Sequence, residues 1–150
     1  MQNPTFADLD RDGDLDFIIG SGERYPYPPK NLRYFENIGT PTLAVWREDS
    51  SVVAPIAQAL SAKGLDAWWA PEFVDANGDK WPDLLLAVRS IDFVSLSLLT
   101  SHPEGQKLQW QAFGAPLSKI RFPLDWIREI RTVDMDDDGL KDLMILRLKD

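Results

Sequence analysis

The sequence predicts an all-β fold built from repeats, and three observations predict it. An acidic loop recurs three times, an apolar run of strand character follows each copy, and the spacing between copies suits one small sheet apiece. The loops are Asp8-Leu9-Asp10-Arg11-Asp12-Gly13-Asp14-Leu15-Asp16, Asp75-Ala76-Asn77-Gly78-Asp79-Lys80-Trp81-Pro82-Asp83 and Asp134-Met135-Asp136-Asp137-Asp138-Gly139-Leu140-Lys141-Asp142. Each carries an oxygen-bearing side chain at relative positions 1, 3, 5 and 9. Behind them come Phe17-Ile18-Ile19, Leu84-Leu85-Leu86 and Leu143-Met144-Ile145-Leu146. The first aspartates lie 67 and 59 residues apart, room for four short strands and their turns. That is too long for a leucine-rich or ankyrin unit.

In the first unit, Thr5 to Ala7 leads into the acidic loop and Leu15 to Gly20 leads out. A Gly- and Pro-rich connection, Gly20 to Pro29, precedes a third strand over Leu32 to Glu36. The turn Asn37-Ile38-Gly39-Thr40-Pro41 then reverses the chain into Leu43 to Trp46. Between units, Ser51 to Lys63 is Ala-rich and ends at Gly64, which admits a short helix or a long crossover. The second unit repeats the order with Glu72 to Val74, the loop, Asp83 to Val88 and Phe93 to Leu99. A polar turn, Ser101-His102-Pro103-Glu104-Gly105, precedes Leu108 to Phe113. The third unit has Glu129 to Val133, the loop, and Leu143 to Leu148.

Oxygens on alternate residues of a tightly turning backbone converge on one point, and a hard cation such as Ca²⁺ takes six to eight oxygens, several of them carboxylates. Positions 1, 3, 5 and 9 supply Asp8, Asp10, Asp12 and Asp16; Asp75, Asn77, Asp79 and Asp83; and Asp134, Asp136, Asp138 and Asp142. Position 7 is expected to add a main-chain carbonyl, from Asp14, Trp81 and Leu140. Glycine at position 6 permits the left-handed turn that folds the loop back, and Gly13 and Gly139 fill that place. The second loop has Lys80 there and its glycine at Gly78, so it is expected to be the weakest of three calcium sites or to turn differently. An EF-hand is excluded, because its loop needs a bidentate Glu at position 12, where this chain has Ile19, Leu86 and Ile145.

These residues resemble the FG-GAP/VCBS repeats. The likeness rests on Phe6-Ala7-Asp8-Leu9-Asp10 through Asp16-Phe17-Ile18-Ile19-Gly20, followed by Tyr34-Phe35-Glu36-Asn37-Ile38-Gly39-Thr40. It implies β-propeller blades with calcium between the first two strands of each, on the same twelve side-chain positions. It covers residues 3–48 closely, 70–113 well and 129–148 as half a blade, one repeat region over residues 1–150. The expected fold is thus a partial β-propeller of about two and a half four-stranded blades. Ten expected strands fall short of the smallest propellers, which have about four blades of four. The remaining blades are therefore expected in cis or from another chain.

Composition narrows the function. The hydrophobic share of 44% and 16 aromatic residues indicate a globular chain, and a net charge of −8 argues against a nucleic-acid partner. Without cysteine there is no disulfide framework, thiolate metal site or thiol nucleophile. Met1 to Ala7 lacks the basic start and long apolar run of a signal peptide, and no stretch reads as a membrane span. His102, the sole histidine, reads as a surface turn residue. Paired carboxylates serve glycoside hydrolysis elsewhere, but here every clustered Asp has a ligand role. Trp68, Trp69 and Trp110 read as packing between blades rather than as sugar platforms, and Tyr25-Pro26-Tyr27-Pro28-Pro29 as a rigid loop. The expectation is a non-catalytic calcium-binding scaffold for protein or carbohydrate recognition, of the cell-adhesion kind. The competing expectation is a fragment of a secreted propeller enzyme, of polysaccharide lyase or hydrolase type, with its active site in other blades or domains. Loops of extracellular type bind calcium with constants on the order of 0.1–1 mM, which cytosolic calcium would leave empty. The expected home is therefore extracellular, cell-surface or periplasmic.

Overall fold

Short runs of β-branched, leucine and aromatic residues, separated by turn formers, fold as antiparallel hairpins. The computed structural model describes residues 2–21, 32–61, 67–89, 93–104, 107–112, 121–122 and 126–148. In chain order these form β1 (Gln2–Ala7), β2 (Asp16–Ser21), β3 (Leu32–Asn37), β4 (Trp46–Glu48), α1 (Ser50–Ser61), β5 (Ala67–Val74), β6 (Asp83–Arg89), β7 (Val94–Glu104), β8 (Lys107–Ala112), β9 (Arg121–Phe122), β10 (Trp126–Val133) and β11 (Asp142–Leu148). The described residues are all-β apart from that one short helix. It makes three antiparallel sheets: β1-β2-β3-β4, β5-β6-β7-β8 with β9 also on β7, and β10-β11. Each acidic loop joins the first two strands of its sheet. No helix among the described residues is long and apolar enough to cross a membrane.

The middle sheet is buried on both faces, and its sequence shows why. Residues Leu84 to Val88 are apolar without a break and all buried. Alternation sends Leu84, Leu86 and Val88 to one core with Ile18, Leu32 and Tyr34 of the first sheet. Leu85 and Ala87 go to a second core with Ile127 and Ile130 of the third. The first strands lie side by side, β1 against β5 and β5 against β10. A recurring bond fastens them. Thr5 Oγ1 accepts from the Phe73 amide at 3.1 Å, and Glu72 Oε1 accepts from the Thr132 amide at 3.0 Å. Thr5 and Glu72 hold the same place, three residues before their loops.

Helix α1 settles the Ser51 to Lys63 segment. Asp49 Oδ1 accepts from the Ser51 amide at 2.8 Å and so caps the first turn. Val53 and Ile56 are buried on one stripe, with Val52 and Ala57 beside them, and the helix packs on β3 and β8.

Four features correct the sequence reading. The fourth strand of the first sheet is Trp46–Glu48 rather than Leu43 to Trp46. The turn is wider because Asn37 Oδ1 accepts from both the Gly39 and Val45 amides, at 3.1 and 3.0 Å, and holds Leu43 to Val45 off the sheet. Ser101 to Glu104 is strand rather than turn, with His102 exposed opposite Gln109 on β8. Strand β5 starts at Ala67 and is broken by a register shift between Trp69 and Glu72, where Ala70 has φ 52°. Finally, β9 was unforeseen, so the described residues hold eleven strands instead of ten. The loop over 25–29, Gly64, Gly105 and Phe113 lie outside the described residues.

Candidate metal centre

The three loops share one backbone path. In each, positions 4 and 6 are left-handed: Arg11 (φ 62°) and Gly13 (97°), Gly78 (80°) and Lys80 (67°), Asp137 (63°) and Gly139 (85°). The second loop therefore does not turn differently. Lys80 takes the conformation that glycine takes elsewhere, and Gly78 sits where Arg11 and Asp137 also manage φ > 0.

Equivalent hydrogen bonds hold that path. The amide at position 6 donates to the first aspartate: Gly13 to Asp8 Oδ2 at 3.2 Å, Lys80 to Asp75 Oδ2 at 2.9 Å, Gly139 to Asp134 Oδ2 at 2.9 Å. The amide at position 7 donates to position 5: Asp14 to Asp12 at 3.1 Å, Trp81 to Asp79 at 2.7 Å, Leu140 to Asp138 at 2.8 Å. Such bonds curl the loop so that alternate side chains face one another.

The result is a convergence of carboxylates. One oxygen each from Asp8, Asp10 and Asp12 lies within 4.8 Å of the others, and Asp134, Asp136 and Asp138 do the same. In the second loop Asp75 and Asp79 are the two carboxylates beside Asn77, whose Nδ2 donates to Asp79 Oδ2 at 2.9 Å. The first loop is short of partners. Asp8 Oδ1 and Asp14 Oδ1 are buried with no hydrogen bond, and Asp14 as a whole is 5% exposed. Desolvation, then repulsion from Asp12 and Asp8, raises the Asp14 carboxyl above its ordinary value. Asp10 is raised by desolvation and by the same kind of repulsion, against the opposing Asp12 amide. An all-oxygen donor set with buried carboxylate oxygens left unpaired fits a hard divalent cation.

The ninth-position aspartates do something the sequence reading missed. Asp16 is 1% exposed and accepts three bonds, from the Leu9 amide (3.3 Å), the Tyr34 hydroxyl (3.0 Å) and the Asn37 amide (2.9 Å). Asp83 is fully buried and accepts from Ala76 (2.9 Å) and Ser101 (2.8 Å). Both carboxylates pin the loop to the third strand of their sheet. Asp142 accepts from Met135 at 2.9 Å but is exposed, because among the described residues no third strand pairs with β10-β11 to cover it. Burial raises Asp16 to about 6 despite its three donors, and burial raises Asp83 as well. Three bonds still leave a carboxylate with a free lone-pair direction, so Asp16 keeps capacity for a cation. Of the position-7 residues, Trp81 is half-buried and Leu140 is exposed.

A family model described as FG-GAP-like repeat matches residues 8–86, from the first aspartate of the first loop to the strand behind the second. A search of curated proteins and a search of solved structures each returned no match. The matched stretch spans more than half of the chain and contains two of its three loops, with the sheet between them. The chain belongs to the FG-GAP-like repeat family.

Proposed function

We propose that this chain is a calcium-binding β-propeller repeat module that acts as a scaffold for protein or carbohydrate recognition and is non-catalytic by itself. The observation that carries the proposal is the first loop. Three carboxylates converge there while Asp8 Oδ1 and Asp14 Oδ1 stay buried without a partner. Burying unpaired carboxylate oxygens is costly, and a bound divalent cation removes that cost. In each loop the ligands are the side chains at positions 1, 3, 5 and 9 with the main-chain carbonyl at position 7. Side-by-side packing of β1, β5 and β10 supports sheets arranged as successive blades. A scaffold of packed repeat sheets suits recognition, because loops carried on a fixed frame can present a binding surface. Sites of this affinity class imply an extracellular, cell-surface or periplasmic setting.

Thermal melts with calcium and with EDTA test the reading. At a calcium concentration about tenfold above such a dissociation constant, each site adds about 1.4 kcal/mol and three add roughly 4. That is a sizeable part of the 5–15 kcal/mol typical of a domain. Calcium should raise the melting temperature clearly over the chelated protein. Superimposable melts would reduce the loops to turns.

A further inference from the structure

The first two loops are joined by a contact that, among the described residues, has no counterpart between the second and third. Arg11, at position 4 of the first loop, donates from Nη2 to the Lys80 main-chain carbonyl at 3.1 Å. Its guanidinium also lies 3.5 Å from the centroid of the Trp81 ring. Lys80 and Trp81 are positions 6 and 7 of the second loop, and the carbonyl of position 7 is an expected ligand. We propose that Arg11 is a positioning residue that couples the two loops, so that calcium in the first tightens calcium binding in the second. This rests on the calcium reading above.

The coupling follows from where Arg11 sits. Its neighbours Asp10 and Asp12 are two of the three converging carboxylates, so an ion that draws them together also fixes the peptide that bears Arg11. The guanidinium then holds the second loop at its least favourable point. Lys80 adopts φ 67° where the other loops place glycine, and a residue with a Cβ resists that conformation. A brace supplied by an already ordered first loop removes part of the ordering needed for the second ion. Arg11 also adds positive charge near a cation site, which opposes binding. That charge is exposed to water and screened, whereas the stack and the carbonyl bond act at contact distance. Between the second and third loops the corresponding residue is Gly78, with no side chain to reach across, and position 7 of the third loop is Leu140. Linkage makes the effect reciprocal, so the second ion tightens the first by the same factor.

A mutant cycle on the full chain tests it. The third loop is silenced by Asp136→Ala with Asp138→Ala, and calorimetry reads the affinity of the second loop for calcium. The reading is taken with the first loop intact and with it silenced by Asp10→Ala and Asp12→Ala. An intact first loop should tighten the second about fivefold. Arg11→Gly and Trp81→Leu should each erase that difference. Both substitutions borrow the residue this chain uses at the same position in another loop, so the turn itself is kept. Arg11→Lys, which keeps the charge and loses the planar stack, should restore only part of it. In EDTA, Arg11→Gly should speed hydrogen exchange at the Trp81 amide and leave the Leu140 amide unchanged. Coupling that survives Arg11→Gly overturns the proposal and leaves the calcium reading standing. Absence of calcium binding at every loop of the unmutated chain overturns that reading, and the coupling with it.

Discussion

Asp12 and Asp16 belong to the same loop and answer to different forces. Asp12 is exposed and crowded by Asp8 and Asp10, whereas Asp16 is buried and tied to Leu9, Tyr34 and Asn37. In EDTA, Asp16→Ala should therefore cost about 2–4 kcal/mol, since it strands two amides and a hydroxyl. Asp12→Ala relieves repulsion but gives up the acceptor of the Asp14 amide, so it should cost clearly less than Asp16→Ala, and denaturant unfolding of the two variants makes the comparison. The pH dependence has a definite sign. Burial raises Asp16 from 3.8 to about 6, and Asp10, Asp14 and Asp83 shift the same way. Without metal, the folded chain holds a proton at a pH where the unfolded chain has released it. The contribution of Asp16 to stability is then fully present below about 3.8 and is lost as pH rises through about 6. The chelated protein should melt higher at pH 5 than at pH 7. With saturating calcium the order should reverse, because protons and calcium compete for the same oxygens. At this scale the convergence of positions 1, 3 and 5 in the first and third loops was legible from spacing alone. The second task of position 9 was not, because its partners Asn37 and Ser101 lie 21 and 18 residues downstream and meet it only when the third strand pairs.

Elements were legible where an apolar run is unbroken. Strands β2, β3, β6 and β11 fall within a residue of their expected bounds because apolar runs and turn formers bracket them. Errors arose where side chains overrode local propensity. Asn37 widened the turn before β4, and Gly39 permits it, since a Cβ there would lie 2.3 Å from the Leu43 carbonyl oxygen. Leu43 looked like strand and is 73% exposed. Turn formers at Ser101 and Pro103 were drawn into β7 by pairing with β8. Nor does sequence periodicity report contacts between sheets, so the fastening of β10 to β5 through Glu72 was invisible. Glu72 is 8% exposed and also holds Arg131 Nη1 at 3.2 Å. Glu72→Ala should cost about 1–3 kcal/mol by leaving the Thr132 amide without its acceptor, while Arg131 keeps Glu129 and the Ile130 carbonyl. Glu48→Ala removes an exposed pair with Arg33 and should cost under about 1 kcal/mol. Equal losses in urea titrations would mean that the bond between sheets carries nothing special.

At the scale of the whole molecule, three sheets stack with the middle one covered on both faces. The outer faces differ in character. Phe6, Phe17, Phe35 and Trp46 pack on one another across the first sheet, on the side away from Ile18 and the core. Met144 and Leu146 are exposed on the third sheet, opposite the side that Ile145 turns toward the second core. Exposed apolar side chains at both ends of the stack fit the propeller reading proposed above. The repeat was legible in the sequence because its acidic spacing survives three times. The placement of the sheets was not, since it depends on which face of each strand meets which neighbour. The claim that joins all three scales is that calcium closes these loops. Calorimetric titration of the metal-stripped chain with calcium tests it most directly. About three ions per folded chain are expected, with the second loop filling last. Zero or one ion per folded chain would contradict it.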